Sequence, residues 1–190
     1  MSMDLETRRK VEGIAFLIAF AACIPLANWM VGNVGTVCVP DGPCLIPVAP
    51  GIAAPSAVLV VGLALVLRDL VQRRLGKWWA LAAILLGAVL SAAVAPRALI
   101  LASTAAFLLS ELADLAVYTP LQRRGLVLAV VASSLVGLAI DSAVFLQLAF
   151  GSLDFLVPQI IGKAWMVILS IPVIAWLRRR DERIHMPVRA

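Results

Sequence analysis

Four acidic residues and one lysine interrupt hydrophobic runs that are long enough to cross a bilayer. The acids are Asp69, Glu111, Asp114 and Asp141, and the base is Lys163. A charged side chain at the centre of a spanning helix costs about 2.5 to 3.5 kcal/mol or more, so such residues are rare. Where they occur, they typically mark a path or a pocket for a polar solute. The sequence therefore indicates a polar site inside a membrane.

Two of the acids share a spacing that suits a common site. Glu111, Asp114 and Tyr118 follow one another at intervals of three and four residues, which places them on one face of a helix. Such a face can line a pocket. The alternative for Asp114 is an ion pair with arginines at the membrane surface. Asp69 has the same alternative, because it follows Arg68 near the end of its run and the pair could reach the surface.

The fifth hydrophobic run carries an acid too deep to reach water. Asp141 lies about 15 residues into this run, so its short side chain must face protein, a cavity or a cation. Ser134 and Gly137 project in related directions, although small residues also serve close helix packing. Lys163, in the sixth run, either extends to the surface or pairs with one of the acids. Trp165 is expected to line the interior if Lys163 does.

The composition places the charged residues in a membrane protein. Hydrophobic residues make up 63% of the 190, charged residues 14%, and the mean hydropathy is +1.03. Soluble domains contain about 45 to 50% apolar and 25% charged residues. The net charge of +5 resides in short clusters between the hydrophobic runs, which is a topology signal and not a nucleic-acid-binding surface.

Windows of about 20 residues give the expected architecture. Basic clusters precede the first run, follow the second and fourth, and follow the sixth, so both termini are predicted to be cytoplasmic. We predict an all-α protein of the cell (inner) membrane that forms one six-helix domain over residues 1–190. The predicted spans are residues 11–32, 55–71, 78–94, 98–118, 126–150 and 156–177.

The cysteines favour a disulfide over a metal site. Cys38 and Cys44 lie in the first connection on the predicted outer side, where a disulfide is permitted, and two free thiols are the alternative. Cys23 lies within the first run and is expected to be a packed thiol. The sole histidine, His185, is predicted to lie on the opposite side of the membrane, so no metal is expected.

Several segments together resemble the queuosine-precursor transporter family, also called VUT-type vitamin uptake transporters. The most specific part is a series in the fifth run, formed by Ser134, Gly137, Asp141, Phe145 and the pair Ala149-Phe150. The other segments run from Arg68 to Gly76, from Ser110 to Tyr118, and from Lys163 to Pro172, with a weaker match at Ala27-Asn28.

The resemblance implies a six-helix importer of 7-deazaguanine precursors of queuosine, such as 7-cyano-7-deazaguanine. The chain departs from the family in the second run, where Arg68 and Arg73 stand in place of the Thr and Glu that are common there. The residues assigned to substrate binding are Asn28, Asp69, Glu111, Asp114, Tyr118, Ser134, Asp141, Phe145, Lys163 and Trp165.

The chemistry of a guanine-like base is consistent with this assignment. Its ring N–H and exocyclic amine are parallel donors that one carboxylate accepts, while its carbonyl needs a donor such as Lys163. Phe107, Phe145 or Trp165 could cover the flat face of the base.

Two other functions remain open at the level of sequence. The chain could be the substrate-binding membrane subunit of a larger vitamin importer, or a membrane scaffold whose polar residues join helices. No GxxxxGK[ST] motif is present, and we expect neither an enzyme nor a cofactor. The expected partners are a deazapurine, the lipid bilayer and a second copy of the chain in a homodimer.

Overall fold

Six long α-helices dominate the computed structural model, which describes residues 4–40 and 42–186. Each helix occupies one of the predicted hydrophobic runs, and several extend a turn or more beyond it. A short 3₁₀-helix, Arg97–Leu99, precedes the fourth helix. The helices are α1 (Leu5–Asn33), α2 (Ala57–Leu75), α3 (Lys77–Val94), α4 (Ile100–Leu121), α5 (Leu126–Phe150) and α6 (Leu156–Arg183).

The outer surface of the bundle suits lipid. Five of the helices, α1 and α3 to α6, are long and apolar enough to cross a membrane. Large apolar side chains such as Leu101, Val89 and Ile18 are more than 60% exposed on their outer faces. In water this would be costly, whereas hydrocarbon accepts it. The protein is therefore a multi-pass, all-α membrane protein, as predicted.

The second helix differs from the others in charge and position. At 19 residues α2 is about 28 Å long, enough to span, but four of its residues are charged: Arg68, Asp69, Arg73 and Arg74. It contacts each of the other five helices, and 13 of its 19 residues are buried. Protein therefore surrounds these charges, and a six-span topology stays a prediction for α2.

A small antiparallel sheet connects α1 to α2, where the sequence indicated only a Gly- and Pro-rich connection. Its strands are β1 (Val37–Cys38), β2 (Cys44–Ala49) and β3 (Ile52–Pro55), in the order β1-β2-β3. A disulfide joins Cys38 to Cys44 across the first pair of strands. Val48 and Ala54 pack against the start of α2, so the sheet covers one end of the bundle.

Close approach of α2 to its neighbours depends on glycine at two positions. Gly76, with φ of 98°, makes the sharp turn between α2 and α3. At Gly62 an added Cβ would overlap the carbonyl oxygen of Lys163, so the backbones of α2 and α6 are in direct contact. Ser56 donates a hydrogen bond to the carbonyl of Met30 at 2.8 Å, which fixes the start of α2 against α1.

Candidate functional site

A buried arginine on α2 binds three carboxylates. The Arg68 guanidinium donates to Glu111 Oε2 at 3.1 Å and to Asp114 Oδ1, and its Nη1 lies 3.0 Å from Asp69 Oδ1. A further hydrogen bond, at 3.2 Å, reaches Gln72 Oε1. None of the four charged side chains is more than 2% exposed. We call Arg68, Asp69, Glu111 and Asp114 the Arg68 cluster.

The charges of the Arg68 cluster do not balance. With every group ionised, one guanidinium faces three carboxylates, which leaves two negative charges in excess. Ser133 of α5 donates to Asp69 Oδ2 at 2.8 Å, but Asp114 Oδ2 has no hydrogen-bond partner in the described part of the chain. Because a buried charge without a partner is costly, the cluster favours an additional cation or proton.

Two more buried hydroxyl groups belong to the predicted site. The Tyr118 ring lies 5.9 Å from Arg68 Cζ, and the ring is fully buried. Neither the Tyr118 hydroxyl nor the Ser134 hydroxyl makes a hydrogen bond among the described residues. At Gly137, one turn after Ser134, an added Cβ would lie 3.2 Å from Asp114 Oδ2. The stripe of small residues on α5 thus serves close packing against an acid of the cluster.

A second polar group joins α5 to α6. Lys163 Nζ donates to Asp141 Oδ2 at 2.6 Å, to Ser142 Oγ at 2.7 Å and to Gln159 Oε1 at 3.0 Å. The lysine side chain is 2% exposed and that of Asp141 is 15% exposed. We call these four residues the Lys163 cluster. Its two charges cancel, in contrast to those of the Arg68 cluster.

The two clusters are electrostatically connected within the bundle. Asp141 lies near enough to Glu111 for their charges to interact. The predicted acids and Lys163 therefore lie in two buried polar clusters carried by α2, α4, α5 and α6. Their side chains pair with one another inside the bundle, where the sequence suggested a pocket. Two cavities lie elsewhere, one beside Arg9 and Arg74 and the other beside Thr119 and Arg123.

Besides Tyr118 and Ser134, three of the predicted binding residues make no hydrogen bond to either cluster. Asn28 donates to the Ile24 carbonyl of its own helix at 3.0 Å. Phe145 packs edge-on against Phe150 with ring centroids 6.0 Å apart. The interior position expected for Trp165 is wrong: its ring is 45% exposed and its Nε1 donates to a carbonyl of the β-sheet at 2.7 Å.

The interior contains polar residues that the sequence interpretation missed. The sequence offered Arg68 only as a possible surface partner of Asp69, but its side chain is fully buried. One signal was available, because Arg68 and Gln72 are four residues apart and face the same direction. The other missed residues are Ser133, Ser142 and Gln159. In the described ranges no group of three His, Cys, Asp or Glu side chains is arranged to hold a metal ion.

Comparison with family models identifies the part of the chain that holds these residues. Residues 93–177 match the family described as putative vitamin uptake transporter. The matched segment contains α4, α5 and most of α6, and with them four charged members of the two clusters: Glu111, Asp114, Asp141 and Lys163. The resemblance to vitamin uptake transporters of the VUT type is thereby confirmed over this segment, and the match supports membrane transport of vitamin-like substrates. Comparisons with curated proteins and with solved structures gave no match.

Proposed function

We propose that this vitamin-uptake-type transporter imports a 7-deazaguanine precursor of queuosine, such as 7-cyano-7-deazaguanine. The observation that carries the proposal is the pair formed by Lys163 and Asp141. An ammonium donor and a carboxylate acceptor stand 2.6 Å apart inside the bundle, within the segment that matches the family. A base that presents donors and an acceptor along one edge can bind between them. Its donors take the place of Lys163 at the carboxylate, and its acceptor takes the place of Asp141 at the ammonium group.

The hydrogen-bonding groups of the Lys163 cluster complement that edge. The ring N–H and exocyclic amine of a deazaguanine would donate to Asp141, whose Oδ1 accepts no hydrogen bond in the described structure. The carbonyl oxygen of the base would accept from Lys163. Gln159 and Ser142 already bind the ammonium group and would hold it in place.

The charge balance of the Lys163 cluster suits a neutral base. Because Lys163 and Asp141 cancel, a neutral ligand can enter without leaving a buried charge unpaired. Adenine lacks the ring N–H donor beside an amine that the carboxylate requires. Binding adenine would leave polar groups of this cluster unpaired, which is a strong basis for rejection.

The Arg68 cluster supports coupling to a cation. Its two surplus negative charges would be neutralised by protons or by another small cation moving with the substrate. The side chains of both clusters pair with one another, so a substrate would have to displace some of these pairings. Asp141 and Glu111 lie close enough for charge changes at one cluster to be felt at the other. We therefore propose proton-coupled uptake.

An uptake experiment tests the function. The chain is expressed as the sole addition to cells that cannot make the precursor or import it, and 7-cyano-7-deazaguanine is supplied at a limiting concentration. We expect queuosine to appear in tRNA, and its absence despite correct membrane insertion would contradict a stand-alone importer. A protonophore is expected to lower the initial rate if coupling is to protons.

A binding experiment tests the assigned acid. In thermal-shift titrations a ligand at 100 times its Kd stabilises a folded protein by about 2.7 kcal/mol. Asp141→Asn is expected to weaken binding of the deazaguanine about tenfold to a hundredfold, because it removes a hydrogen bond to a charged group. Asp154→Asn, in the exposed connection before α6, is the matched control and should leave binding unchanged.

The same two experiments separate the other functions. Binding without uptake would identify the substrate-binding subunit of a larger importer, which is consistent with the absence of a nucleotide-binding motif from the sequence. Neither binding nor uptake would identify a scaffold. We include a homodimer in the proposal, since a bundle of six helices is small, and the mass of the detergent-solubilised protein tests it.

A further inference from the structure

A cavity outside the two polar clusters lies at the end of the bundle where α1 begins. A cavity of about 170 Å³ opens there between the start of α1 and the turn from α2 to α3. Its lining differs from the two polar clusters, because it consists of basic and apolar side chains. We call it the basic cavity. Its lining residues are Arg9, Lys10, Ile14, Arg74, Leu75 and Trp79.

The charge around the basic cavity is positive. None of its lining residues is acidic. The ion-pair networks that reach it contain six basic and three acidic residues, so three positive charges are in excess. The basic residues are Arg8, Arg9, Lys10, Arg73, Arg74 and Arg180, and the acidic ones are Glu6, Glu12 and Asp181.

One of the cations is buried and incompletely satisfied. Arg9 is only 6% exposed, and its Nε has no hydrogen-bond partner in the described structure. Its nearest ion-pair contact, to Glu6, is long at 3.8 Å. An unpaired buried donor on a charged group carries a substantial free-energy cost. The arginine thus has hydrogen-bonding capacity left for an anion.

Unlike Arg9, Arg74 is fixed by several ion-paired hydrogen bonds on one side of the basic cavity. Its guanidinium donates to Glu12 at 2.9 Å and to both oxygens of Asp181 at 2.9 Å. These bonds tie α2 to α1 and α6. Arg9 and Lys10 therefore remain as the groups that can turn toward a ligand, while Arg74 adds positive potential.

The apolar lining distinguishes a lipid from a free anion. Ile14 is 48% exposed and Trp79 is 52% exposed, on the outer surface that faces hydrocarbon. Tryptophan at such a position typically lies at the level of the lipid headgroups. An inorganic anion makes no favourable contact with this apolar surface, whereas an acyl chain can pack along it.

We propose that the basic cavity binds an anionic glycerophospholipid. Arg9 and Lys10 bind the phosphodiester of the headgroup, and one acyl chain lies along Ile14 and Trp79. The basic clusters of the sequence predict that this end of the bundle is cytoplasmic, where anionic lipids are attracted to basic pockets between helices.

Thermal-shift titration of the purified full-length protein in detergent tests the site. The probes are dioleoyl phosphatidylglycerol, dioleoyl phosphatidylcholine and inorganic phosphate. We expect phosphatidylglycerol to raise Tm at concentrations at least tenfold lower than phosphatidylcholine does, and phosphate to have no effect. An equal shift with phosphate would show a site for free anions and overturn the lipid assignment.

Variants locate the effect within the molecule. Arg9→Gln combined with Lys10→Gln is expected to weaken the phosphatidylglycerol response at least tenfold. Lys10→Gln alone leaves the buried arginine in place and is expected to weaken it about threefold, which keeps the test valid if the double variant does not fold. The control combines Arg178→Gln with Arg179→Gln, which removes the same charge from the exposed end of α6. An equal loss in the control would overturn the assignment to the basic cavity.

Discussion

Arg68 determines whether the buried acids of α2 and α4 can coexist. Its three nitrogens each face a different carboxylate, so no other single residue in the described ranges compensates as much charge. Two of these partners, Glu111 and Asp114, lie 43 and 46 positions further along the chain. Such a pairing is a property of the packed bundle, since local spacing shows only that Asp69 is adjacent and Gln72 is one turn away.

The acids themselves were predictable and their partners only in part. Asp69, Glu111, Asp114, Asp141 and Lys163 stand out in a hydrophobic sequence because charge is costly there, and all are buried or nearly so. Which acid meets which cation depends on helix rotation and order. Sequence periodicity alone does not specify either for helices that are apolar on almost every face.

Replacement of Arg68 tests its role. Arg68→Met is expected to lower the free energy of unfolding by about 3 to 5 kcal/mol, because it leaves three buried carboxylates without their cation. Adding Asp114→Asn to that variant should recover part of the loss by removing one negative charge. Thermal unfolding in detergent measures both changes.

Arg178→Met is the matched control for that experiment. Arg178 is 50% exposed and, among residues 4–40 and 42–186, its ion pair is with the exposed Glu182, so its loss should cost less than about 1 kcal/mol. Equal destabilisation by the two Arg→Met changes would show that the buried pairings of Arg68 contribute no more to the free energy of unfolding than an exposed ion pair does.

Among the elements, α2 positions the polar interior. Its side chains supply Arg68 and Asp69, and its backbone touches α6 at Gly62 beside the carbonyl of Lys163. The two polar clusters thus depend on one helix, and a change in the spacing of α2 and α6 would alter the position of Lys163 directly.

Gly62→Ala tests that contact. Because the added methyl group would meet a backbone carbonyl, the helices must separate, and overpacking of this kind costs about 1 to 3 kcal/mol. We expect a lower Tm and weaker deazaguanine binding. Gly32→Ala is the control, since a Cβ there meets nothing within 4 Å. It should leave Tm unchanged or raise it slightly, and a similar loss in both variants would contradict the proposed contact.

The helices follow the hydrophobic runs closely, whereas the sheet was not predictable. The run at 126–150 coincides with α5, and that at 78–94 with α3 except for one residue. Hydropathy predicts helices because each satisfies its own backbone hydrogen bonds in lipid. The sheet instead depends on pairing β2 with β3 through short segments that contain Pro47 and Gly51, residues that usually indicate irregular loops.

At the scale of the whole molecule, the disulfide and the arginines of the basic cavity, Arg9 and Arg74, lie at opposite ends of the bundle. Cys38 and Cys44 are in the sheet that joins the end of α1 to the start of α2, while Arg74 ends α2. The predicted orientation places the sheet outside the cell, where the disulfide persists.

Cysteine labelling tests this orientation. In intact cells a membrane-impermeant maleimide is expected to label the protein only after reduction, because Cys38 and Cys44 are joined and Cys23 is buried. Cys38→Ser combined with Cys44→Ser should abolish the labelling and lower stability by about 2 kcal/mol, through loss of a short cross-link. Labelling that requires disruption of the membrane would place the sheet on the cytoplasmic side.

While its two surplus carboxylates are ionised, the Arg68 cluster also makes the electrostatic potential around it negative. A negative potential concentrates cations and repels anions, and low dielectric strengthens the effect. If the proposed deazaguanines are the substrates, those with a neutral nitrile or a protonated aminomethyl group at position 7 would be admitted, and those with a carboxylate would be repelled. The Arg68 cluster would thus select substrates by charge, while the Lys163 cluster binds the edge of the base.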